Sequence, residues 1–312
     1  MNQQYYDIIG DIHGQADELA RLLDMLGYFN NGKYYSHEKR KIIFLGDFVD
    51  RGSKQREVIG LVKPMIENGA ALSVMGNHEF NAIAYYTKSS DDDSYLRSHS
   101  EKNLKQHQAF LDAYQDNEED YKNVIEWFKT LPLWLDLECL KVIHACWDPK
   151  WITEIEKTNK GSSALTEEML QKATIEGNWE FEAIETLLKG KEIPLKEGFS
   201  FFDKDGNERH NIRVRWWDQD ASTYQSAFMG SESARTHIPD DEIEGDHLIE
   251  YGHEEPPVFL GHYWMEGEPE PLSKNIACLD YSVAKPGGKL VAYRWDGEKE
   301  LVKEKYIWVT RE

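Results

Sequence analysis

Five short apolar runs in this chain end in residues that can do chemistry. "GDIHG" delivers Asp11 and His13, "GDFVDRG" delivers Asp47, Asp50 and Arg51, and "GNHE" delivers Asn77, His78 and Glu79. "LKVIHAC" ends near His144, and "PPVFLGHYW" carries His262. The set is carboxylates, imidazoles and one amide, with no thiolate required. Such ligands favour Mn²⁺, Fe or Zn²⁺, and the imidazoles argue against a pure Ca²⁺ site. There are too many ligands for one ion that must keep an open position. Two ions about 3.5–4 Å apart, bridged by a carboxylate, would use them all. A single Asp or His after a strand is ordinarily a turn residue or a cap; it is the coincidence of five that carries the reading.

Residues so far apart in sequence must be gathered by the fold. "YYDII" (5–9), "KIIFL" (41–45), "AALSVM" (70–75) and "LKVIHAC" (140–146) read as buried strands, with helical spacing in 16–28 and 54–69 between the first three. Pro64 predicts a kink or an early end to the second helix. Residues 80–130 read as mostly helical, and strand-like runs return from 256 to 310. The early β-α-β-α-β order predicts a layered α/β fold, with ligands converging at the carboxyl ends of the strands. Glycines at 10, 14, 46, 52, 76 and 261 are expected to allow the sharp turns and close approaches of those ends. The more polar stretch 149–255, helical over 164–189 and followed by a hairpin in "FSFFDKDGNERHNIRVRWW", reads as an insertion into one domain of residues 1–312. "DKDGNE" (203–208) reads as a hairpin turn rather than a Ca²⁺ loop, and the acidic "PDDEIEGD" (239–246) as a solvated loop.

Bulk composition narrows the function. The chain has 312 residues, 40% of them hydrophobic, and a formal net charge of −21. A field of that sign repels polyanions, so neither nucleic acid nor an anionic membrane is an expected partner. Cys139, Cys146 and Cys278 lack the spacing of a disulfide framework or a zinc ribbon. Without a signal-peptide pattern or a membrane-length apolar run, a cytoplasmic monomer is the expectation. The remaining histidines (37, 99, 107, 210, 237, 247 and 253) read as mostly surface residues.

In order and spacing, "GDIHG", "GDFVDRG" and "GNHE", followed by "VIHAC" and "FLGHYW", resemble the calcineurin-like metallophosphoesterases and, within them, the PPP family. That family contains the serine/threonine protein phosphatases and the bacterial symmetrical diadenosine tetraphosphatases. The resemblance implies an α/β fold, a layered β-sandwich flanked by helices. It implies Asp11 and His13 on a first metal, Asp47 bridging, and Asn77, His144 and His262 on a second, with Mn²⁺ the expected ion. It implies His78, oriented by Asp50, as general acid and Arg51 on substrate phosphate, with a metal-bridging hydroxide as nucleophile. A second phosphate-binding arginine is expected in the variable region, where Arg213 is favoured over Arg215 and Arg235 is weaker. The protein phosphatases carry His-Gly-Gly where this chain has His144-Ala145-Cys146, and "HA" with "GHYW" leans toward the tetraphosphatase branch.

The leading functional expectation is hydrolysis of phosphomonoesters, phosphoserine and phosphothreonine included. The alternative is a symmetrical dinucleoside polyphosphate hydrolase, for which Trp147, Trp216, Trp217 and Trp264 are candidate adenine-stacking surfaces. A catalytically silent metal-binding module is the third reading, and the presence of His78, Asp50 and Arg51 argues against it.

Overall fold

A computed structural model describes residues 4–202, 208–243 and 249–312. Ten strands build two main sheets: β1 (Tyr5–Ile9), β2 (Arg40–Phe44), β3 (Ala71–Ser73), β4 (Trp134–Asp136), β5 (Lys141–Ile143), β6 (Val258–Leu260), β7 (Ile276–Cys278), β8 (Asp280–Tyr281), β9 (Lys289–Trp295) and β10 (Tyr306–Thr310). In the first sheet β1, β2 and β3 run parallel, as the β-α-β-α-β order requires. β9 closes the other side of β1 antiparallel and carries β8 and β10. In the second sheet β6 lies parallel to both β5 and β7, and β4 pairs antiparallel with β5.

The two sheets face each other. Alternation along the strands sends Ile8, Ile43 and Leu45 into the space between them, where Val142, Phe259, Ala277 and Tyr293 meet them. Ile9, Ile42 and Phe44 point the other way. They are covered by the apolar stripes of α1 (Ala16–Met25) and α2 (Gln55–Glu67), including Leu19, Leu22, Leu23, Val58 and Val62. Each fully buried aliphatic side chain contributes about 1.5–3 kcal/mol, so this layering holds the strand ends rigid. The α2 helix runs through Pro64 rather than stopping there. The proline ring clashes with the carbonyl four residues back, and here that residue is Gly60, while the Asn68 side chain bonds the Pro64 carbonyl at 2.8 Å.

Three helices follow β3: α3 (Asn77–Tyr86), α4 (Glu101–Tyr114) and α5 (Glu118–Phe128). The chain leaves the second sheet after β5 and returns at β6, beside it. Between them lie helices Pro149–Thr158, Glu167–Lys172 and Trp179–Lys189 and small antiparallel pairs, 192–194 with 211–213 and 201–202 with 208–209. Residues 203–207 of the hairpin turn expected at 203–208, and residues 244–248 with His247, lie outside the described residues. The segment is anchored on the second sheet: Ala145 and Cys146 donate to the Leu187 carbonyl, and Trp216 Nε1 donates to that of Ala145.

Candidate active site

All of the strand-end motifs meet at one place. Asp11 and His13 follow β1, Asp47, Asp50 and Arg51 follow β2, Asn77 and His78 open α3 after β3, His144 follows β5 and His262 follows β6. At the centre is Asp47. Its Oδ2 lies 3.4 Å from His144 Nε2, 3.7 Å from His13 Nε2 and 3.9 Å from His78 Nε2. His13 Nε2 is also 4.0 Å from Asp11 Oδ2. Asn77 Oδ1 sits 2.7 Å from His262 Nδ1 and 3.1 Å from His144 Nε2. Among the described residues two groups of possible metal ligands result, His13–Asp47–His78 and Asp47–His144–His262, and they share Asp47.

The residues present fit a pair of cations. Asp11 Oδ1, His13 Nε2 and His262 Nε2 are buried polar atoms without a hydrogen-bond partner, a costly arrangement unless something else satisfies them. His13 Nδ1 lies 3.0 Å from the Val49 carbonyl and His144 Nδ1 2.7 Å from that of Leu45. His13 therefore donates outward and turns an Nε2 lone pair into the site, as metal-binding imidazoles do, and His144 is oriented to do the same once it loses its Nε2 proton. Burial first, and His78 second, push His13 down to about 3; burial and Arg213 push His262 well below its ordinary value. Both are neutral and able to ligate. Burial would also lower His144, but Asp47 outweighs it and brings His144 up to about 10. Burial and the nearby Asp280 raise Asp11 well above the carboxylate range. So many carboxyl groups confined together are what a pair of dications would stabilise.

Backbone conformation at the site is unusual. Of nine non-glycine residues with positive φ among the described residues, six are His13, Asp47, Asp50, Arg51, His262 and Trp264. Each such position costs on the order of 1–3 kcal/mol. Of the glycines expected at sharp turns and close approaches, Gly14 and Gly46 have positive φ and Gly10 and Gly261 serve close approach, while the candidate site residues share the strained conformation. A Cβ on Gly10 would lie 2.0 Å from the Leu279 carbonyl oxygen, and one on Gly261 2.0 Å from Asp11 Oδ1.

Beside these candidate ligands, His78 pairs with Asp50. His78 Nδ1 is 2.5 Å from Asp50 Oδ2. Burial alone would lower His78, but Asp47 and Asp50 prevail and raise it. Burial alone would raise Asp50, but hydrogen bonds from His107 and His78 hold it well below the carboxylate range. Arg51 lies with its guanidinium 3.8 Å from the centre of the Trp264 ring, and its Nη2 is 3.4 Å from His78 Nε2.

Sequence reasoning missed several contributors. His107, read as a surface residue, is only 4% exposed, and its Nδ1 is 2.8 Å from Asp50 Oδ1. Far in sequence from every strand-end motif, it had no signal beyond its place on the apolar face of α4. His99, His210, His237 and His253 are exposed and His37 is half-buried, as expected. Glu79 accepts the backbone amides of Asp47, Phe48 and Gly76 at 2.8, 2.8 and 2.9 Å, fixing the loop that carries Asp47. Asp280 accepts the Trp264 amide at 2.7 Å and so sets the platform under Arg51. Tyr281 is a buried core tyrosine whose hydroxyl accepts the Glu270 amide.

The expected second arginine divides into three cases. Arg213 acts electrostatically on His262 and pairs only loosely with Glu192, at 3.4 Å. Arg215 donates to the Ser226 carbonyl and pairs with Asp218 at 3.5 Å. Arg235 is committed to Glu232 and the Gln225 carbonyl. Trp147, Trp216 and Trp217 are buried, so among the four tryptophans considered for stacking only Trp264 is partly exposed.

A family model described as calcineurin-like phosphoesterase matches residues 6–283. The chain is 33% identical over 140 residues to the asymmetrical bis(5'-nucleosyl)-tetraphosphatase PrpE of Oceanobacillus iheyensis, covering 45% of this chain and 54% of that one. It is 30% identical over 148 residues to the symmetrical bis(5'-nucleosyl)-tetraphosphatase of Wigglesworthia glossinidia brevipalpis, covering 46% and 45%. The chain thus spans about half the length of these curated relatives. A protein serine/threonine phosphatase from Saccharomyces cerevisiae shares the fold, with a TM-score of 0.51 at 16% identity over 100% of this chain and 81% of that one.

Proposed function

This chain belongs to the calcineurin-like phosphoesterase family, and we propose that it is a dinuclear metal-dependent phosphoesterase acting on phosphomonoesters. The observation that carries the reading is the sharing of Asp47 by two ligand groups beside the His78–Asp50 pair. In this reading Asp11, His13 and Asp47 hold one divalent ion, and Asp47, Asn77, His144 and His262 the other, with Mn²⁺ the first choice and Fe or Zn²⁺ the alternatives. When bound, the ions would make water a nucleophile near neutral pH and draw charge from the phosphoryl oxygens.

The chain's own residues supply the rest. Arg51, held over the Trp264 ring, forks onto phosphate oxygens as their charge grows. Asn77 adds an amide at the same place. His78 carries a proton at Nε2 and gives it to the leaving oxygen, while Asp50 holds Nδ1 and fixes the ring. Arg213 is the better second phosphate ligand, because its charge already reaches His262 and its pairing is loose; Arg215 is tied to Ser226 and Asp218. The proposal includes one domain over 1–312, with the 149–255 insertion shaping substrate choice, and a monomer in a reducing cytoplasm. Three free cysteines are compatible with that setting.

A dinucleoside polyphosphate substrate is the second reading, favoured by the names of the relatives above, which include asymmetrical and symmetrical enzymes. The burial of Trp147, Trp216 and Trp217 weighs against it, since they offer no free face to adenine. The test is a panel of Mn²⁺-loaded reactions with p-nitrophenyl phosphate, phosphopeptides, diadenosine tetraphosphate and a phosphodiester. Monoester turnover that collapses in Asp47→Asn and His78→Asn supports the first reading. Preference for diadenosine tetraphosphate supports the second, and no turnover of any substrate refutes both.

A further inference from the structure

The His78–Asp50 pair is completed by a third residue from outside the strand-end motifs. An ionised carboxylate only accepts hydrogen bonds. Asp50 uses Oδ2 for His78 Nδ1 at 2.5 Å and Oδ1 for His107 Nδ1 at 2.8 Å. The Asp50 backbone is already fixed, with φ at 68° and its amide on Gln55 Oε1 at 2.8 Å. What remains free is rotation of the carboxylate about its last bond, and the two imidazoles remove it. His107 is itself locked: its ring packs 5.3 Å from that of Tyr85 and 5.0 Å from that of Phe110. An apolar side chain would fill this apolar place as well. The buried Nε2 has no partner, so the bond to Asp50 is what a histidine adds. The cavity between Asp50, His78, His107 and Arg97 measures ≈ 10 Å³, too small for any substrate.

We infer that His107 is a positioning residue, holding the Asp50 carboxylate at the angle that aims His78 at the leaving group. The inference rests on the phosphoesterase reading above. It concerns proton delivery alone, so its effect depends on how much the leaving group needs a proton.

The experiment compares phenyl phosphate, a poor leaving group, with 2,4-dinitrophenyl phosphate, which departs without protonation, on the Mn²⁺-loaded full chain. His107→Phe keeps the packing and removes the donor. His107→Asn puts an amide N–H near the Nδ1 position, and His107→Gln puts it near Nε2 instead. Loss of a charge-assisted hydrogen bond is expected to lower kcat for phenyl phosphate roughly 10- to 100-fold in His107→Phe and His107→Gln. KM and dinitrophenyl phosphate turnover should stay within about threefold of wild type, as general-acid catalysis requires, and His107→Asn should recover most of the loss. In metal-free protein the low-field His78 Nδ1–H proton resonance should shift in His107→Phe and His107→Gln but not in His107→Asn. The Asn and Gln variants decide the question even if His107→Phe fails to fold. Equal losses on both substrates, or no loss on either, overturn the inference while leaving the phosphoesterase reading intact. If the wild type turns over neither substrate, the phosphoesterase reading fails and takes this inference with it.

Discussion

Gly261→Ala tests whether Asp11 is a metal ligand without substituting any proposed ligand. A Cβ at this position would lie 2.0 Å from Asp11 Oδ1 and 3.1 Å from its Cγ. Gly261 does not need the left-handed region, so the backbone accepts alanine and the fold should survive. The Asp11 carboxylate has little room to retreat: the residue is 2% exposed and its Oδ2 accepts the His262 amide at 3.1 Å. To restore an ordinary contact of 3.4 Å, Oδ1 must move by about 1.4 Å, against a tolerance of about 0.2 Å in metal–ligand distances. Even disturbance of groups behind the ligands typically costs 10- to 100-fold in metal affinity, so one of two Mn²⁺ sites should weaken by at least about that much. Isothermal titration of Mn²⁺ into metal-free protein reads this directly. Gly252→Ala is the control, since nothing lies within 4 Å of its added Cβ. If folded Gly261→Ala binds two ions as tightly as wild type, the assignment of Asp11 is wrong.

Three further outcomes follow from particular residues. His144, with its imidazole up at about 10, holds a proton throughout the neutral range. Metal binding must expel it, so affinity should fall about tenfold per pH unit as pH drops below 10 and protons should be released. Titrations in buffers of different ionisation enthalpy check this, and pH-independent affinity from 6.5 to 9 would contradict it. Arg51→Lys keeps the charge but loses the planar fork and its fit on Trp264, so kcat/KM should drop roughly 10- to 100-fold; an unchanged value would remove Arg51 from phosphate binding. Gly60→Ala, on the exposed side of α2 with nothing within 4 Å of the new Cβ, should raise stability by about 0.5–1 kcal/mol in thermal melts.

Much of the site was legible because its residues are adjacent to strands. Once "YYDII", "KIIFL" and "AALSVM" are parallel neighbours, Asp11, Asp47 and Asn77 have to meet at one edge. The pairing of β6 with β5 then brings His262 to His144 across the whole 149–255 stretch. What escaped the sequence depends on tertiary placement. His107 reaches Asp50 only through the packing of α4, and helical periodicity cannot distinguish a buried histidine with a partner from one at the edge of an apolar stripe. The clamp by Glu79 was hidden because its three bonds run to backbone amides. The four tryptophans looked equivalent as stacking surfaces, yet three serve the core and Trp264 supports Arg51. Pro64 marked a kink or a helix end by propensity, but the packing of α2 against β3 carries the helix through.

The central claim is that Asp47 bridges two ions, and electron paramagnetic resonance of the Mn²⁺-loaded protein tests it most directly. Two ions about 3.5–4 Å apart through a carboxylate should give a spin-coupled spectrum at two Mn²⁺ per chain. Asp47→Asn should abolish that coupling together with monoester turnover. An isolated six-line signal from one ion per chain, or a coupled spectrum that persists in Asp47→Asn, would contradict the account.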